Sequence, residues 1–253
     1  MKIIAVIQAR LGSSRLPGKV MLKFCEKPVL QHVVNRVSTV EMLDKVIVAT
    51  TKEKEDIKIK EWCDKNNVSV YQGSSNDVLD RYYKTACLFN AENIIRITAD
   101  CPVIDPKVLE KIIKMHISNK ADYTANTLTN TYPDGQDVEI LSFSALKKAW
   151  EQAKLTSERE HVTPYIRKHA DIFNIISVTN DINLGSKRWT LDNKEDYDFL
   201  NLLYDNLYKK NKFFGMHDIL QFLEQNLEIE KINQHIKRNE GYEKSLREDT
   251  IIK

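Results

Sequence analysis

The chain has 253 residues, of which 38 are basic and 36 acidic, so its formal net charge at pH 7 is only +2. This balance excludes a protein that binds nucleic acid through bulk positive charge, and any bound anion must be held by local clusters. No apolar run approaches the roughly 18 residues of a membrane span, and the four scattered cysteines favour neither disulfides nor zinc. We therefore expect a cytoplasmic protein.

The first half of the chain alternates two kinds of segment. Short runs rich in Ile and Val predict buried strands, and the amphipathic segments between them predict helices. The predicted strands are 2–8, 44–50, 68–72 and 93–99, and the predicted helices are 28–40, 52–67 and 76–91. This order favours an α/β fold of three α/β/α layers, with a mostly parallel sheet between the helices.

The second half is less regular. Asp105 precedes Pro106 and is predicted to cap a helix over 106–116. Further strands are predicted at 120–127, at the end of 131–141, at 172–179 and at 187–191, and helices at 142–153, at 157–169 and between 193 and 236. We expect one domain over residues 1–236. Residues 237–253 are then a charged tail, either solvated or forming a late helix.

The loop after the first predicted strand, residues 9–19, has the sequence ARLGSSRLPGK. Ligands of parallel α/β sheets bind beyond the carboxyl ends of the strands, where this loop lies. Its glycines permit close backbone approach, its serines and amides donate hydrogen bonds, and its cations match phosphate oxygens. These residues are Gly12, Gly18, Ser13, Ser14, Arg10, Arg15 and Lys19. Three cations on one loop favour a triphosphate over a single carboxylate.

The spacing excludes two familiar phosphate-binding loops. A Walker loop has four residues between its glycines and a Ser or Thr after its lysine, whereas here five residues separate Gly12 from Gly18 and Val20 follows Lys19. The dinucleotide-binding pattern GxGxxG is absent from the chain. A solvated basic loop is the remaining alternative, and the agreement of position, glycines and charge disfavours it.

The loop resembles the signature of the CMP-sugar synthetases, within the nucleotide-sugar pyrophosphorylase-like superfamily. The nearest branch is that of the spore coat polysaccharide biosynthesis protein SpsF, similar to the CMP-Kdo and CMP-acylneuraminate synthetases. Five further segments carry the resemblance in order: GSSNDVLDRYY (73–83), RITADCPVIDP (96–106), YPDGQDVEI (132–140), SEREHVTPY (157–165) and RWTLDNKEDY (188–197).

The resemblance implies a GT-A-like, Rossmann-like nucleotide-diphospho-sugar transferase fold. It also implies a cytidylyltransferase that moves CMP from CTP to an acidic sugar, such as a nonulosonic acid or Kdo, for surface polysaccharide biosynthesis. Pyrophosphate would be released. Related synthetases are commonly homodimers, so we expect the dimer contact and part of the acceptor site within about residues 126–180.

Two predicted strands end in an aspartate, Asp100 and Asp192, and the resemblance assigns both to Mg²⁺ or Mn²⁺. Magnesium takes one or two protein carboxylates and keeps several waters, which fits this pair. A capping role for Asp192 stays open, because Glu195 lies three residues further on. Asp196 is predicted to be a charge on a helix surface.

The loop and the resemblance together imply three groups of site residues. The catalytic residues are Lys19, Arg15 and Asp100. The nucleotide-binding residues are Ala9, Arg10, Leu11, Gly12, Ser13, Ser14, Arg15, Lys19 and Arg81. The acceptor-binding residues are Arg96, Gln136, Asp137, Glu139, Arg159 and His161.

Simpler roles stay open for several of these residues. Arg81 forms an i,i+4 salt bridge with Asp77 in the alternative interpretation. Arg96 then pairs with an acid on the sheet, and Arg159 and His161 lie in a subunit interface. No residue stands out as a general base.

Two other functions compete with cytidylyl transfer. A GT-A-type glycosyltransferase would use a finished nucleotide sugar and typically carries a DxD motif, whereas only Asp100 and Asp105, five residues apart, are present here. A non-catalytic nucleotide-binding protein would not need both Asp100 and Asp192. The basic loop also favours a nucleotidyltransferase over either alternative.

Overall fold

The predicted Ile- and Val-rich runs form strands of a seven-stranded sheet, and a separate hairpin adds two more. The structure, a computed structural model, describes residues 1–252. The strands are β1 (Ile3–Gln8), β2 (Lys23–Phe24), β3 (Lys27–Pro28), β4 (Lys45–Thr51), β5 (Ser69–Gly73), β6 (Asn93–Thr98), β7 (Tyr123–Ala125), β8 (Glu139–Ser142) and β9 (Ile175–Ser177). The helices are α1 (Val29–Val37), α2 (Ile57–Lys65), α3 (Val78–Leu88), α4 (Pro106–Ser118), α5 (Phe143–Gln152), α6 (Thr156–His161), α7 (Pro164–Lys168), α8 (Lys194–Leu207), α9 (Met216–Glu224), α10 (Leu227–Glu230) and α11 (Glu240–Arg247).

The strand order of the large sheet is β5-β4-β1-β6-β8-β7-β9. Its first four strands are parallel, β8 is antiparallel to both neighbours, and β9 is parallel to β7. The predicted three-layer α/β/α architecture with a mostly parallel sheet is therefore confirmed. The loops that follow β1 and β6 meet at one edge of the sheet, because parallel neighbours end on the same side.

The central strand β1 is buried on both faces. Ile3, Ala5 and Ile7 belong to the hydrophobic cluster that includes α1, α2 and α4, whereas Ile4 and Val6 belong to the cluster that includes α3 and α5. Full burial of each Ile or Val side chain stabilises the fold by about 1.5–3 kcal/mol. The site is built on the ends of β1 and of its parallel neighbour β6.

A third hydrophobic cluster lies outside the sheet. It packs α8 and α9 against the β2–β3 hairpin and contains Phe24, Trp189 and Tyr204, all buried. The Tyr204 hydroxyl donates to the Pro102 carbonyl oxygen (2.7 Å), which joins this cluster to the loop after β6. The cluster therefore anchors the segment that contains Asp192 beside the sheet.

The second half departs from the prediction in two places, and it confirms the helices predicted between 193 and 236. Residues 187–191 form no strand, because Arg188 makes only one isolated bridge, to Asp134. The helix predicted over 157–169 is broken into α6 and α7 at Val162, whose φ is 71°. The helical stretch from 193 contains three separate helices, with Gly215 at the start of the second.

The segment predicted as a solvated or helical tail forms helix α11, and it is not simply solvated. Ile251 makes an antiparallel bridge with Leu155, next to α6. Asp249 also accepts hydrogen bonds from the start of α6, as described below. The high density of charge in residues 237–252 therefore serves ion pairs and hydrogen bonds. No helix in the described part of the chain combines the length and the apolar character needed to cross a bilayer.

Candidate active site

A cavity of about 890 Å³ opens where β1 and β6 end. Its lining includes the loop after β1, the end of β6 with the residues after it, the segment that contains Asp192, and residues of the segments 127–139, 160–167 and 237–248. Basic side chains outnumber acidic ones in the lining. A concave, positively charged cavity at the carboxyl ends of parallel strands is suited to a polyanionic ligand.

Lys19 lies at the centre of this cavity, between the two predicted metal ligands. Its Nζ donates to Asp100 Oδ2 at 2.5 Å and to Asp192 Oδ1 at 2.6 Å. Burial disfavours the ammonium, but the two carboxylates more than compensate and raise the pKa of Lys19. Burial likewise opposes ionisation of Asp100, and Lys19 still holds the pKa of that carboxyl below its ordinary value. Lys19 and Asp100 are therefore both charged at neutral pH.

Backbone contacts bring the two aspartates together. Asp100 lies two residues after the end of β6, and its carbonyl oxygen accepts the N–H of Leu191 at 2.9 Å. Asp192 is the next residue. It is not the cap of α8: Asn193 holds that position, and Asp196 Oδ2 accepts the N–H groups of Asp192 and Asn193 at 2.9 and 3.0 Å. The capping alternative for Asp192 is therefore wrong, and its carboxylate faces the cavity.

The basic loop presents most of its predicted nucleotide-binding residues to the cavity. Those that line it are Ala9, Arg10, Gly12, Ser13, Ser14, Arg15 and Lys19. Arg15 Nη2 lies 3.0 Å from Asp192 Oδ1, and Gly18, with φ 70°, precedes the 3₁₀ turn that begins at Lys19. The positive φ favours glycine at position 18.

Leu11 is the exception within the loop. Its N–H donates to Asp56 Oδ1 at 2.7 Å, and its carbonyl oxygen accepts the N–H groups of Ser13 and Gly18 at 2.8 and 2.9 Å. The side chain packs against the core beneath the sheet edge. Leu11 therefore shapes the loop and has no free backbone group for a base, which corrects its predicted nucleotide-binding role.

Arg81 is a buried cation on the cavity wall. Its exposed fraction is 2%, and its Nη1 donates to the Ser74 carbonyl oxygen at 2.9 Å. Within residues 1–252 it has no carboxylate within 4.0 Å, and its buried Nε has no hydrogen-bond partner. The alternative salt bridge with Asp77 is not formed, because Asp77 pairs with Arg159. A bound anion would compensate this charge.

The predicted acceptor side contains a buried ion pair, Arg96 with Glu139. Glu139 also accepts hydrogen bonds from the Tyr123 hydroxyl at 2.5 Å and from Thr163 Oγ1 at 2.7 Å. Burial opposes its ionisation, yet Arg96 and these donors lower the pKa of Glu139. Arg96 therefore forms the alternative that the sequence left open, an ion pair with an acid on the sheet, Glu139. Both side chains still line the cavity.

Asp137 and His161 also line the cavity. Burial raises the pKa of Asp137 to about 7, although Arg238 Nη2 lies 2.5 Å from its Oδ1 and opposes the rise. His161 Nε2 lies 3.0 Å from Ser245 Oγ, and burial lowers the pKa of its imidazole. Both side chains therefore lie in the cavity and are held by residues of the C-terminal segment.

Two predicted acceptor-binding residues lie elsewhere. Gln136 is fully buried: its Oε1 accepts the Asp105 N–H, and its Nε2 donates to the Val103 carbonyl oxygen, both at 2.8 Å. Arg159 Nη2 lies 2.5 Å from Asp77 Oδ2, and its Nη1 donates to the Trp150 carbonyl oxygen. Neither lines the cavity. Both predictions are wrong, because strong internal partners already saturate these polar side chains.

The sequence interpretation missed a buried ion-pair network beneath Asp192. Arg188 Nη1 lies 3.0 Å from Asp134 Oδ2, and its Nη2 lies 2.8 Å from Asp196 Oδ2 and 3.3 Å from Asp192 Oδ2. Asp196 is fully buried, so its prediction as a surface charge is wrong. Arg238 extends the network from the C-terminal segment to Asp134 and Asp137. Arg188 stands in the RWTLD motif, but no spacing rule reveals its partners.

Comparison with known proteins identifies the family. The cytidylyltransferase family profile matches residues 4–232. The spore coat polysaccharide biosynthesis protein SpsF of Bacillus subtilis is 33% identical over 209 residues, which are 80% of this chain and 86% of that protein. The 3-deoxy-manno-octulosonate cytidylyltransferase of Idiomarina loihiensis is 28% identical, over 68% of this chain and 74% of that protein.

A solved structure agrees with these matches. A cytidylyltransferase from Leptospira borgpetersenii serovar Hardjo-bovis superposes with a TM-score of 0.87 at 34% identity, over 91% of this chain and 97% of that one. The similarity therefore includes both the sheet and most of the irregular second half. The resemblance to the SpsF-like cytidylyltransferases is confirmed, and the chain belongs to the cytidylyltransferase family of CTP-dependent nucleotidyltransferases.

Proposed function

We propose that this protein transfers CMP from CTP to a hydroxyl of an acidic sugar, a nonulosonic acid or a Kdo-like acid, with release of pyrophosphate. The observation that carries the proposal is the position of Lys19, between Asp100 and Asp192 at the foot of the basic loop. One cation already bridges two carboxylates there, beside the side chains best suited to a triphosphate. The relative that acts on 3-deoxy-manno-octulosonate supports an acidic acceptor.

The pair of carboxylates fits Mg²⁺ or Mn²⁺. Both oxygens contact the same ammonium nitrogen, so they are directed at one point where a cation binds. No cluster of three or more His, Cys, Asp or Glu side chains suited to a metal occurs within residues 1–252. Asp100 and Asp192 would therefore hold the ion alone, with phosphate and water oxygens as its other ligands. When bound, it would neutralise phosphate charge and lower the pKa of the attacking hydroxyl.

The basic loop has the geometry to hold the triphosphate. Arg10 and Arg15 are partly exposed in the cavity, and each has only acidic partners that a phosphate can replace. Gly12, Ser13 and Ser14 offer backbone and hydroxyl donors beside them. We propose that Lys19 offsets the charge that develops on the departing pyrophosphate. Phosphoryl transfer depends mainly on such positioning and charge compensation.

We propose that the acceptor binds against Asp137, Glu139 and His161. This site is on the opposite side of Asp100 from the triphosphate. Carboxylate and imidazole groups can orient sugar hydroxyls by hydrogen bonding. We propose that Asp137, whose pKa burial raises to about 7, accepts the hydroxyl proton.

The proposal has three further parts. We propose that the enzyme is cytoplasmic and contributes to surface polysaccharide biosynthesis, which the printed role of the SpsF relative supports. We also propose a homodimer with its contact within residues 126–180, where Ile172 is 44% exposed. Size-exclusion chromatography with light scattering tests the dimer.

The test of catalysis is pyrophosphate release with CTP, Mg²⁺ and a panel of acidic sugars. Lys19→Ala and Asp100→Ala should each lower kcat by about 10²-fold or more, because each removes charge stabilisation at the reacting phosphate. Lys231→Ala is the control: its ammonium is exposed, pairs only with Glu228, and lies outside the cavity. Near-normal turnover by both site variants, or no turnover by the wild type with any acid, overturns the proposal.

A further inference from the structure

The C-terminal segment, residues 237–252, forms one wall of the active-site cavity. Its side chains in the lining include Lys237, Arg238, Tyr242, Lys244, Ser245 and Arg247. The family profile ends at residue 232. This wall therefore lies beyond the part of the chain that the family profile matches.

The wall is fixed at its far end. Asp249 accepts three hydrogen bonds from the start of α6: from Thr156 Oγ1 and Ser157 N at 2.9 Å, and from Ser157 Oγ at 2.7 Å. Partial burial opposes its charge, but these donors lower the pKa of Asp249. Backbone hydrogen bonds continue on both sides, from Thr156 N to Thr250 O and from Ile252 N to Lys154 O. The segment is thus a docked element of the fold.

The wall contacts both ends of the cavity. Glu240, at the start of α11, lies 3.2 Å from Arg15 of the basic loop. Arg247 is seven residues later, about 10 Å further along the helix axis. Between them, Ser245 Oγ lies within hydrogen-bond distance of His161, and the Tyr242 ring packs edge-on against the same imidazole. Arg247 therefore lies away from Arg15, on the side of the cavity proposed to bind the acceptor.

Arg247 and Arg167 are unpaired cations at that side. Arg238 is compensated by Asp137, but within residues 1–252 neither Arg247 nor Arg167 has a carboxylate within 4.0 Å. Arg167 lies one helical turn after Thr163, whose hydroxyl donates to Glu139 at 2.7 Å, so Arg167 is on the side of the cavity that contains Glu139. Uncompensated guanidinium groups lining a cavity attract an anion, and their planar donors match a carboxylate.

We propose that residues 237–252 form the acceptor-binding wall and that Arg247, together with Arg167, binds the carboxylate of the acidic acceptor. This inference rests on the proposed function, because it needs an acceptor that carries a negative charge. Asp249 is a positioning residue: it touches no substrate and keeps α11 against α6. Acceptor selectivity within the family would then depend partly on this segment.

The test measures steady-state kinetics for CTP and for the best acceptor separately. Arg247→Ala should raise the KM for the acceptor about tenfold, the loss expected for one charge-assisted hydrogen bond, with the KM for CTP within about twofold. Arg247→Lys should lie between that variant and the wild type, because it keeps the charge and loses the fork. Asp249→Asn should raise the same KM less, and Lys231→Ala should change neither constant.

The outcomes separate the two proposals. If the wild type turns over an acidic sugar and Arg247→Ala leaves the acceptor KM unchanged, the C-terminal wall proposal is overturned and cytidylyl transfer stands. An equal rise in the KM for CTP would assign Arg247 to the nucleotide and also overturn it. If the wild type turns over no acid in the panel, both proposals fail together. Acceptor-specific weakening in Arg247→Ala and Asp249→Asn supports the inference.

Discussion

The regular first half, residues 1–118, and the irregular second half, residues 119–252, position their site residues by different means. Lys19 and Asp100 follow parallel strands of the first half, so hydrogen-bonded strand ends fix where they lie. Asp192 and Asp137 follow no parallel strand. They are held by ion pairs with Arg188 and Arg238, and the latter is 101 residues away from Asp137 along the chain.

This difference has an energetic consequence. A loop at the end of a buried parallel strand is supported by apolar packing, which tolerates changes in the loop itself. A carboxylate supported by a buried guanidinium depends on one side chain, whose removal leaves charges without compensation. In the second half, stability and catalysis should therefore fail together.

The largest effect is expected for Arg188→Met, which breaks the support of the second half. The guanidinium pairs with Asp134, Asp192 and Asp196, and Asp196 is fully buried. Its loss should lower the free energy of unfolding by about 3–5 kcal/mol, the usual cost of an uncompensated buried charge. Urea denaturation followed by circular dichroism measures this loss.

The matched variant for Arg188→Met also removes the charge of Asp196, the buried carboxylate that the single substitution leaves without its partner. Arg188→Met/Asp196→Asn should recover part of the lost stability, because the amide removes the uncompensated charge while its oxygen can still accept the N–H groups of Asp192 and Asn193. Turnover should stay low, since Asp192 has still lost a partner. If the free energy of unfolding of Arg188→Met alone lies within about 1 kcal/mol of the wild-type value, ion pairs do not support the second half.

The same contrast explains what could be predicted from sequence. The four first-half strands of the large sheet were predicted to within one residue of their observed ends, because each is an apolar run between helix signals, whereas the short hairpin strands β2 and β3 were not predicted. The cap at Asp105 was predicted too, and its Oδ1 accepts the Lys107 N–H at 2.9 Å. These features depend on neighbours in the chain, which local pattern reveals.

The site of the second half could be predicted only in part. Sequence singled out Asp192 and Asp137, which line the cavity, but also Gln136 and Arg159, which do not. All four are polar residues in motifs, and only the fold decides which of them meet internal partners. The role of Arg238 was missed for the same reason. Its partner Asp137 is remote in sequence, and the high charge of the C-terminal segment predicted only that this segment is solvated or helical.

A change of intermediate size in the free energy of unfolding is expected for a variant of His116, which lies where the two halves join. His116 of α4 lies 3.0 Å from Asn93 Oδ1 in the first half and 2.9 Å from Thr124 Oγ1 in the second. Burial lowers the pKa of His116 from 6.5 to about 4. Between these values the unfolded chain binds more protons than the folded one, so stability falls as pH drops from about 6.5 to about 4.

The variant His116→Gln removes this titration. Its free energy of unfolding, measured by urea denaturation at several pH values, should fall less steeply than that of the wild type below pH 6.5. The difference between the two curves should reach about 1–3 kcal/mol by pH 4, as a shift of this size implies. Parallel curves across the whole range would show that the buried imidazole does not govern the acid sensitivity of this join.

The smallest effect is expected for an ion pair in the first half, Lys60 with Asp64 on α2. Their separation of 2.6 Å is shorter than any contact of Arg188, yet both side chains are about half exposed. Water and salt screen such a pair, so Lys60→Ala should leave the free energy of unfolding unchanged within experimental error. The measurement is urea denaturation at low and high salt beside Arg188→Met. A loss comparable to that of Arg188→Met would mean that short distance, and not burial, sets the strength of ion pairs in this fold.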